Sequence, residues 1–500
     1  MASPYPTSVE LAAEAGRSVL FLDLLEVDDM QRVRQVVHPA VKHPANPVIR
    51  TGPLGTWDSL QASPWQGTVM WDAEDGHYKA WYMGMDVAEA GLQIPRVGYA
   101  VSPDGSTWEK PNVGVHKYGG SRDNNLIAFL PGRRTNGPAL KDPGETDPSR
   151  RYKLLLRDEN GDREIWNSPD GLGFTREGAP SISTPPAADG SRRQLPDPLA
   201  WFDAHQLLYD RQDPNPDRRY KAYGQMSARR GGWSIRKGAL LYGPDPWTWT
   251  RSPQNPIIDP DEGDESQIHF ISVLPYKGLY VMLYEYGWLD PLTSVYVADI
   301  RLAVSRDGER FQRVQPNQPF VRRGGPGDWD GGFLVTSSDL VVRDHEIQVF
   351  YAGQPEHWTN WPSENRGEWT SSAGSVYPAQ TGLATIPLDG FAALETADGE
   401  MPGAVTTIPL KPSATRVGLE ISWGNALPGR NWIDVQVVDL AGDPISTVSP
   451  ARVVTQGSCV PVVWDDLHSL PVDLEFRLRF GIHGAARLFG FSFRDIDGRQ

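Results

Sequence analysis

The chain has 500 residues, which predicts two or three domains, and its 39% hydrophobic and 22% charged residues are typical of a globular protein. Its formal net charge of −15 leaves no basic stripe to neutralise phosphates, so neither nucleic acid nor an anionic membrane is expected as a partner. The single cysteine, Cys459, excludes an intrachain disulfide and a thiolate metal cluster.

Residues 1–50 are expected to lead into the first domain without forming a domain of their own. They contain a strand-like run, Ser18–Asp23, followed by a proline-punctuated extended segment. No basic region precedes a long apolar core, so we expect no signal peptide, and no apolar run approaches the length of a membrane span. A cytoplasmic location is therefore expected, with secretion as the alternative if a signal has been removed.

An internal repeat begins near residue 51. Its first half is an apolar strand, a turn and an aromatic-rich strand, and its second half is a strand that ends in a tight turn followed by an aromatic residue. The aromatic-rich strands are Tyr78–Tyr82, Tyr152–Leu156, Tyr220–Gly224, Tyr280–Tyr284 and Ile347–Tyr351. The tight turns contain Asp104, Asp170 and Asp307, with a variant at Asp245 and a degenerate copy at Asp389.

The repeat predicts an all-β protein. Asp-Gly between β-rich runs indicates a hairpin, so each copy gives about four antiparallel strands. Five such copies predict a five-bladed β-propeller over residues 51–400, and an irregular series of hairpins in a β-sandwich is the alternative. Over residues 401–500 the five-fold motif is absent, and alternating strands such as Leu419–Trp423 and Trp432–Asp439 predict a β-sandwich domain.

Candidate site residues lie where the first strands of the blades begin and where the second strands end. In a propeller these positions converge on one face around the axis. Before the first strands the sequence places Trp57, Asp58, Asp203, His205, Asp264, Glu265, Trp329 and Asp330. After the second strands it places Arg157, Asp158, Glu285, Trp288 and His357. These positions predict a funnel rich in carboxylates, with arginine, histidine and tryptophan between them.

A carboxylate funnel suits the cleavage of glycosidic bonds, because one carboxyl must donate a proton while an ionised carboxylate attacks or activates water. We expect Asp58 as the nucleophile or base and Glu265 or Asp264 as the acid. Asp203 and Asp330 would hold sugar hydroxyls or tune the pKa values of the catalytic pair. The remaining candidates would bind substrate. Any single aspartate at a strand start is more often a turn or cap residue than a catalyst.

The architecture resembles glycoside hydrolase family 32, the invertase and fructanase group, and the related families 43, 62 and 68. The segments that carry this resemblance are Leu20–Asp23, His43–Pro47, Gly98–Ala100, Trp108–Pro111 and Asp123–Asn125. The chain lacks the group's Asn-Asp-Pro-Asn-Gly and Glu-Cys motifs, and Arg157-Asp158 is followed by Glu159 where the group has proline. The resemblance implies a furanoside substrate, of the fructofuranoside or arabinofuranoside type.

Three functions are consistent with these features. The first is a glycosidase that acts on a furanoside or small oligosaccharide, with a carbohydrate as partner and with no cofactor or metal. The second is an intracellular glycoside phosphorylase on the same fold, resembling family 130, in which Arg157 and His357 would help to bind phosphate. The third is a propeller that binds carbohydrate without catalysis. A homo-oligomer stays open in each case.

Overall fold

The structure is a computed structural model of an all-β chain. It describes residues 11–88, 94–128, 135–157, 163–183, 202–230, 233–260, 267–291, 296–355, 359–360, 370–371, 378–399, 401–413, 415–445, 449–465 and 469–496. The described residues form strands connected by turns and by short 3-10 segments such as Pro148–Arg150 and Pro216–Arg218. No helix in this described part of the chain is long and apolar enough to cross a membrane.

The N-terminal region forms five short strands before the first blade. They are β1 (Leu11–Ala12), β2 (Ser18–Leu20), β3 (Val27–Gln31), β4 (Val33–Val36) and β5 (Val41–Lys42). None of them pairs with another; each pairs with a strand from the second half of the chain.

Blades 1 and 2 are four-stranded antiparallel sheets in chain order. Blade 1 contains β6 (Gln61–Asp72), β7 (His77–Met85), β8 (Arg96–Ser102) and β9 (Leu126–Ala128). Blade 2 contains β10 (Ala139–Lys141), β11 (Tyr152–Arg157), β12 (Arg163–Ser168) and β13 (Thr175–Gly178). The aromatic-rich segments found in the sequence are the second strands.

Blades 3 and 4 have the same order. Blade 3 contains β15 (Asp203–Tyr209), β16 (Tyr220–Arg230), β17 (Trp233–Asp245) and β18 (Thr248–Arg251), and β14 (Ser181–Ser183) lies parallel to β18. Blade 4 contains β19 (Ile271–Tyr276), β20 (Leu279–Leu289), β21 (Tyr296–Ser305) and β22 (Gln312–Arg313).

Blade 5 combines the two halves of the chain. Its first three strands are β23 (Phe333–Val342), β24 (Glu346–Gln354) and β27 (Ala379–Pro387), and its outermost strand is the N-terminal β5. The short strands β25 (Thr359–Asn360) and β26 (Thr370–Ser371) pair with each other. The first strand of each blade contacts the first strand of the next, and β23 contacts β6. The predicted five-bladed propeller is thereby confirmed.

The repeated Ser-x-Asp-Gly turns are built in the same way in blades 1, 2 and 4. In each turn the serine oxygen accepts the N–H of the glycine, and the aspartate Oδ1 accepts the backbone N–H groups two and three residues further on. Gly105, Gly171 and Gly308 have φ of 80°, 79° and 72°. Glycine adopts this left-handed region without steric cost, which explains why it recurs there.

At the end of the first strand in blades 1 to 3, the aspartate of a buried ion pair within the blade accepts a tyrosine hydroxyl from the next blade. Between blades 1 and 2, Lys79 Nζ lies 2.8 Å from Asp72 Oδ2, and the hydroxyl of Tyr152 in blade 2 donates to the same oxygen at 3.2 Å. The same arrangement follows at Asp142, Lys153 and Tyr220, and at Asp210, Lys221 and Tyr280. Through these hydroxyl groups the three aspartates join one blade to the next.

The C-terminal region is a sandwich of two sheets. Its strands are β28 (Ala393–Thr396), β29 (Gly403–Thr407), β30 (Leu410–Lys411), β31 (Val417–Gly424), β32 (Trp432–Val438), β33 (Ala451–Val453), β34 (Gly457–Pro461), β35 (Arg477–His483) and β36 (Arg487–Asp495). One sheet has the order β34-β31-β36-β28-β4 with β2 paired to β36, and the other has the order β3-β29-β35-β32-β33. Residues 18–36, expected only to lead into the propeller, therefore supply strands to both sheets.

Asp389 joins the propeller to the sandwich. Its carboxylate accepts hydrogen bonds from Tyr276 Oη at 2.8 Å and Lys277 Nζ at 2.7 Å in blade 4, and from Ser422 and Ser458 in the sandwich at 2.6 and 2.9 Å. Burial alone raises the pKa of Asp389, but Lys277 and the donating hydroxyls outweigh it, so the pKa lies below its ordinary value. The carboxylate stays charged at neutral pH and holds both domains.

Candidate active site

Asp58 and Asp330 lie in two copies of the same turn. Residues 52–58 and 324–330 share glycines at their first and fourth positions and end in Trp-Asp. Gly55 and Gly327 have φ of 89° and 88°, and the first N–H of each turn donates to the carbonyl of its aspartate at 3.2 and 3.0 Å. The repetition is visible in the sequence at an offset of 272 residues, by subtraction of these positions.

Both aspartates are buried and ion-paired. Asp58 Oδ2 accepts from Lys110 Nζ at 2.6 Å and from Tyr82 Oη at 2.8 Å. Asp330 Oδ2 has the same pair of donors, namely Lys42 Nζ and Tyr351 Oη, at 2.5 and 2.9 Å.

The tryptophan before each aspartate stacks on the same tyrosine, with Trp57 5.6 Å from Tyr82 and Trp329 5.9 Å from Tyr351 between ring centroids. These contacts anchor a loop on its blade. A catalytic role for either aspartate stays a prediction.

Asp203 lies at the start of β15 beside two side chains from neighbouring strands. Its Oδ1 accepts from Arg163 Nη2 at 2.5 Å and its Oδ2 from Gln225 Nε2 at 3.0 Å. Arg163 begins the third strand of blade 2 and also donates to the carbonyl of Phe202, the residue before β15. The start of β15 is therefore held by a side chain of the neighbouring blade. The Asp203 side chain is 19% exposed, which leaves the carboxylate accessible beside its ion pair.

Glu285 is a fully buried carboxyl in the second strand of blade 4. Tyr296 Oη donates to its Oε1 at 2.6 Å, and His269 Nδ1 lies 3.7 Å from Oε2. Burial, followed by the charge of Glu285, raises the pKa of Tyr296 well above its ordinary value. The phenol therefore stays protonated and continues to donate to the carboxyl group.

Arg236 lies within electrostatic range of both carboxyl groups. Its Nη1 donates to Gln267 Oε1 at 3.0 Å. Burial lowers the pKa of Arg236 to about 10, although the charges of Asp203 and Glu285 raise it. The side chain is therefore a cation at neutral pH, and the carboxyl groups of blades 3 and 4 both contribute to its electrostatic environment.

Three buried amide side chains at the same end of the blades each have one polar atom without a partner. Among the described residues, Asn136 Oδ1, Gln225 Oε1 and Gln354 Nε2 are buried and accept or donate no hydrogen bond. Asn136 precedes the first strand of blade 2, Gln225 belongs to the second strand of blade 3, and Gln354 ends the second strand of blade 5. Because leaving such an atom unsatisfied costs roughly 1–3 kcal/mol, these atoms indicate a place for water or a polar ligand.

Aromatic side chains fill the axis next to these groups. Trp65 lies 5.2 Å from Phe270 and 5.6 Å from Phe333 between ring centroids. His205 stacks on Phe270 at 4.6 Å, and its Nδ1 accepts the N–H of Ile271 at 3.4 Å. His205, predicted to bind substrate, thus packs within the axis.

The other predicted residues are dispersed. Trp288 packs near two guanidinium groups, 5.0 Å from Arg323 and 5.9 Å from Arg301. Asp158, Asp264, Glu265 and His357, together with the side chain of Arg157, lie outside the described residues.

The candidate residues predicted from the sequence do not include those at the starts of the third strands. Arg163 and Tyr296 begin the third strands of blades 2 and 4, and Arg236 lies three residues after the start of that of blade 3. A signal for them existed, because Arg96 also begins the third strand of blade 1, so arginine recurs near this position in three consecutive blades.

No model of a known protein family matches the chain, and no curated protein matches it. Among solved structures, a glycosyl hydrolase from Bacteroides ovatus is similar at 15% identity and a TM-score of 0.43, over 70% of this chain and 94% of that one.

A β-fructofuranosidase of family 32 from Bombyx mori is similar at 11% identity and a TM-score of 0.40, over 91% and 95%. The catalytic domain of a family 62 α-L-arabinofuranosidase from Coprinopsis cinerea is similar at 12% identity and a TM-score of 0.38, over 70% and 98%.

Proposed function

We propose that the protein is a glycoside hydrolase that cleaves a furanoside or small oligosaccharide where the first strands of blades 3 and 4 begin. The observation that carries the proposal is the environment of two carboxyl groups: Asp203 Oδ1 accepts from Arg163 Nη2 at 2.5 Å, and the buried Glu285 accepts from Tyr296 Oη at 2.6 Å. Asp203 belongs to the predicted catalytic residues and Glu285 to the predicted substrate-binding residues. The buried amide atoms without partners at the same end of the blades support a ligand rich in hydroxyl groups.

The two carboxyl groups differ in a way that suits a division of roles. Asp203 is partly exposed and ion-paired with Arg163, which favours an ionised carboxylate, so we assign it as nucleophile or base. Glu285 is fully buried and accepts the hydroxyl of Tyr296, and we assign it as the acid. The anomer released from the substrate would report whether the mechanism is retaining or inverting, because the separation of the two groups decides it.

The test is a release assay on nitrophenyl furanosides and pyranosides with Asp203→Asn and Glu285→Gln. We expect turnover without phosphate, and a roughly 100-fold or larger loss of kcat in each variant with an unchanged melting temperature. Asp170→Asn is the matched control, because this carboxylate lies in a hairpin turn at the other end of a third strand. Full turnover in both variants would refute the assignment.

Glu265→Gln belongs in the same series. Glu265 is the acid expected from the sequence, and its position before β19 makes it the competitor of Glu285. If Glu265→Gln abolishes turnover on poor leaving groups while Glu285→Gln does not, the acid is Glu265 and Glu285 binds substrate.

A phosphorylase is the second candidate. It is favoured by the buried guanidinium groups of Arg163 and Arg236 next to the carboxyl groups, because arginine binds phosphate oxygens in a bidentate manner. Turnover that requires inorganic phosphate would select this function. Saturable sugar binding without turnover, with or without phosphate, would select a non-catalytic propeller.

A further inference from the structure

A groove of about 470 Å³ lies at the edge of blade 5, beside its outermost strand. Its walls come from the segment around β5 and from the turn that precedes β23. The side chains that line it include Lys42, His43, Arg322, Arg323, Asp328 and Trp329. Of the twelve residues that line the groove, three are lysine or arginine, one is histidine and two are aspartate, whereas acidic residues exceed lysine and arginine by 15 in the whole chain.

The charges in the groove do not cancel. Lys42 is neutralised by Asp330, with 2.5 Å between Nζ and Oδ2. Asp299 lies within electrostatic range of Arg322 and Arg323, but it is paired with Arg301, with 2.8 Å between Oδ1 and Nε. Among the residues that line the groove, the carboxylate that remains beside these two arginines is Asp328. That carboxylate also accepts the backbone N–H of Gly325 at 2.7 Å. A net positive concave surface concentrates anions, so the charge pattern indicates an anionic ligand.

The two arginines are presented differently. Arg323 is held in place, because its Nη1 donates to the carbonyl of Gly331 at 3.1 Å and its guanidinium lies 5.0 Å from the ring of Trp288. Arg322 is exposed. A fixed and an exposed guanidinium side by side suit a phosphate or carboxylate group, since arginine matches the geometry of both.

The equivalent turn of blade 1 provides an internal comparison. There Trp57 is 2% exposed, and its indole N–H donates to Asn125 at 3.0 Å. Trp329, in the blade 5 copy, is only partly buried and lines the groove. An aromatic ring beside basic side chains suits a sugar that carries a negative charge, because the ring contacts the C–H groups while the cations contact the anion.

We propose that this groove binds an anionic saccharide, carrying either a phosphate or a carboxylate, through Arg322, Arg323, His43 and Trp329. The site is separate from the carboxyl groups of blades 3 and 4 and does not depend on the proposed hydrolysis.

The test is isothermal titration of the full-length protein with glucose 6-phosphate, glucuronate, inorganic phosphate and glucose. We expect saturable binding of glucose 6-phosphate or glucuronate and none of glucose. The anionic sugar that binds identifies whether phosphate or carboxylate is recognised. The affinity should fall at least 10-fold in the double variant Arg322→Gln/Arg323→Gln and also in 0.5 M salt, because screening weakens exposed charges.

Arg310→Gln is the matched control, since this arginine is half-exposed and lies in a hairpin turn of blade 4. It should bind as the wild type does. If the double variant fails to fold, Arg322→Gln alone replaces it, because that side chain is exposed.

Absence of binding by both anionic sugars, undiminished binding by the folded variant, or equal binding of glucose would overturn the proposal. Inorganic phosphate that binds as tightly as glucose 6-phosphate would overturn its saccharide part.

Discussion

Replacing Lys221 by methionine tests the buried ion pair of blade 3, whose aspartate also accepts a hydroxyl from blade 4. Lys221 and Asp210 are both 0% exposed, with 2.5 Å between Nζ and Oδ2. Tyr280 of blade 4 donates to the same carboxylate oxygen at 2.7 Å, and Lys221 also contacts Asp213 at 2.7 Å. Methionine has a similar length and preserves packing, so the change removes the charge and leaves little cavity.

The expected cost follows from what each carboxylate retains. Asp213 keeps Arg218, whose Nε lies 3.1 Å from Oδ2, so it is still paired. Asp210 keeps only the tyrosine hydroxyl among these donors. Removing one partner of a buried pair costs about 3–5 kcal/mol, and we expect about 3 kcal/mol because only one carboxylate loses its cation.

Urea unfolding monitored by tryptophan fluorescence measures this cost. Lys237→Met is the control, because its partner Asp259 is 43% exposed and such pairs contribute about 1 kcal/mol or less. The double change Lys221→Met/Asp210→Asn should recover most of the loss, since no uncompensated charge remains and the amide group still forms hydrogen bonds with Tyr280 and the backbone. A loss in Lys221→Met no larger than in the control would show that this buried ion pair does not stabilise the propeller.

Two further predictions concern the axis and the loop of blade 1. Burial raises the pKa of Asp339 to about 6, although Gln206 donates a hydrogen bond to the carboxyl group. The protonated carboxyl therefore makes its full contribution to the free energy of unfolding below about pH 4, and this contribution is lost as the pH rises past 6. Asp339→Asn should therefore flatten the pH profile of urea stability between pH 4 and 7 by about 1–2 kcal/mol, and an unchanged slope would contradict this. A Cβ at Gly84 would lie 2.1 Å from Trp57, so Gly84→Ala should cost about 1–3 kcal/mol in the same assay, whereas Gly173→Ala, with open space, should cost less than about 1 kcal/mol.

The blades were predictable because their signals are local. A Tyr-Lys strand and an Asp-Gly turn lie within about thirty residues of each other, so the hairpins can be inferred without knowing what they pack against. The outermost strand of blade 5 could not be inferred in this way. Val41 pairs with Thr385, and a two-residue strand has no periodicity to detect. The strand Ser18–Leu20 lies in the run that was predicted to be strand-like, but its place in the sandwich could not be inferred, because its partner lies near the other end of the sequence.

The candidate site was predictable in position but less so in chemistry. The rule that candidate residues lie where the first strands begin selected Asp203, and Asp203 is the first residue of β15. The same rule selected Asp58 and Asp330, whose lysine partners come from 52 residues later and 288 residues earlier in the chain. Such partners are set by the tertiary fold, and only they distinguish an ion-paired anchor from an available carboxylate.

During synthesis, the N-terminal strands of blade 5 and of the sandwich are made long before the strands with which they pair. Val41–Lys42 leaves the ribosome long before Ala379–Pro387, its partner in blade 5. At about 5–20 residues per second this delay is roughly 20–70 s. During that interval the hairpins of blades 1 to 4 can form, but the ring cannot be completed, and the apolar residues of β2 have no sheet to join. We therefore expect the nascent chain to depend on chaperones until its last strands emerge.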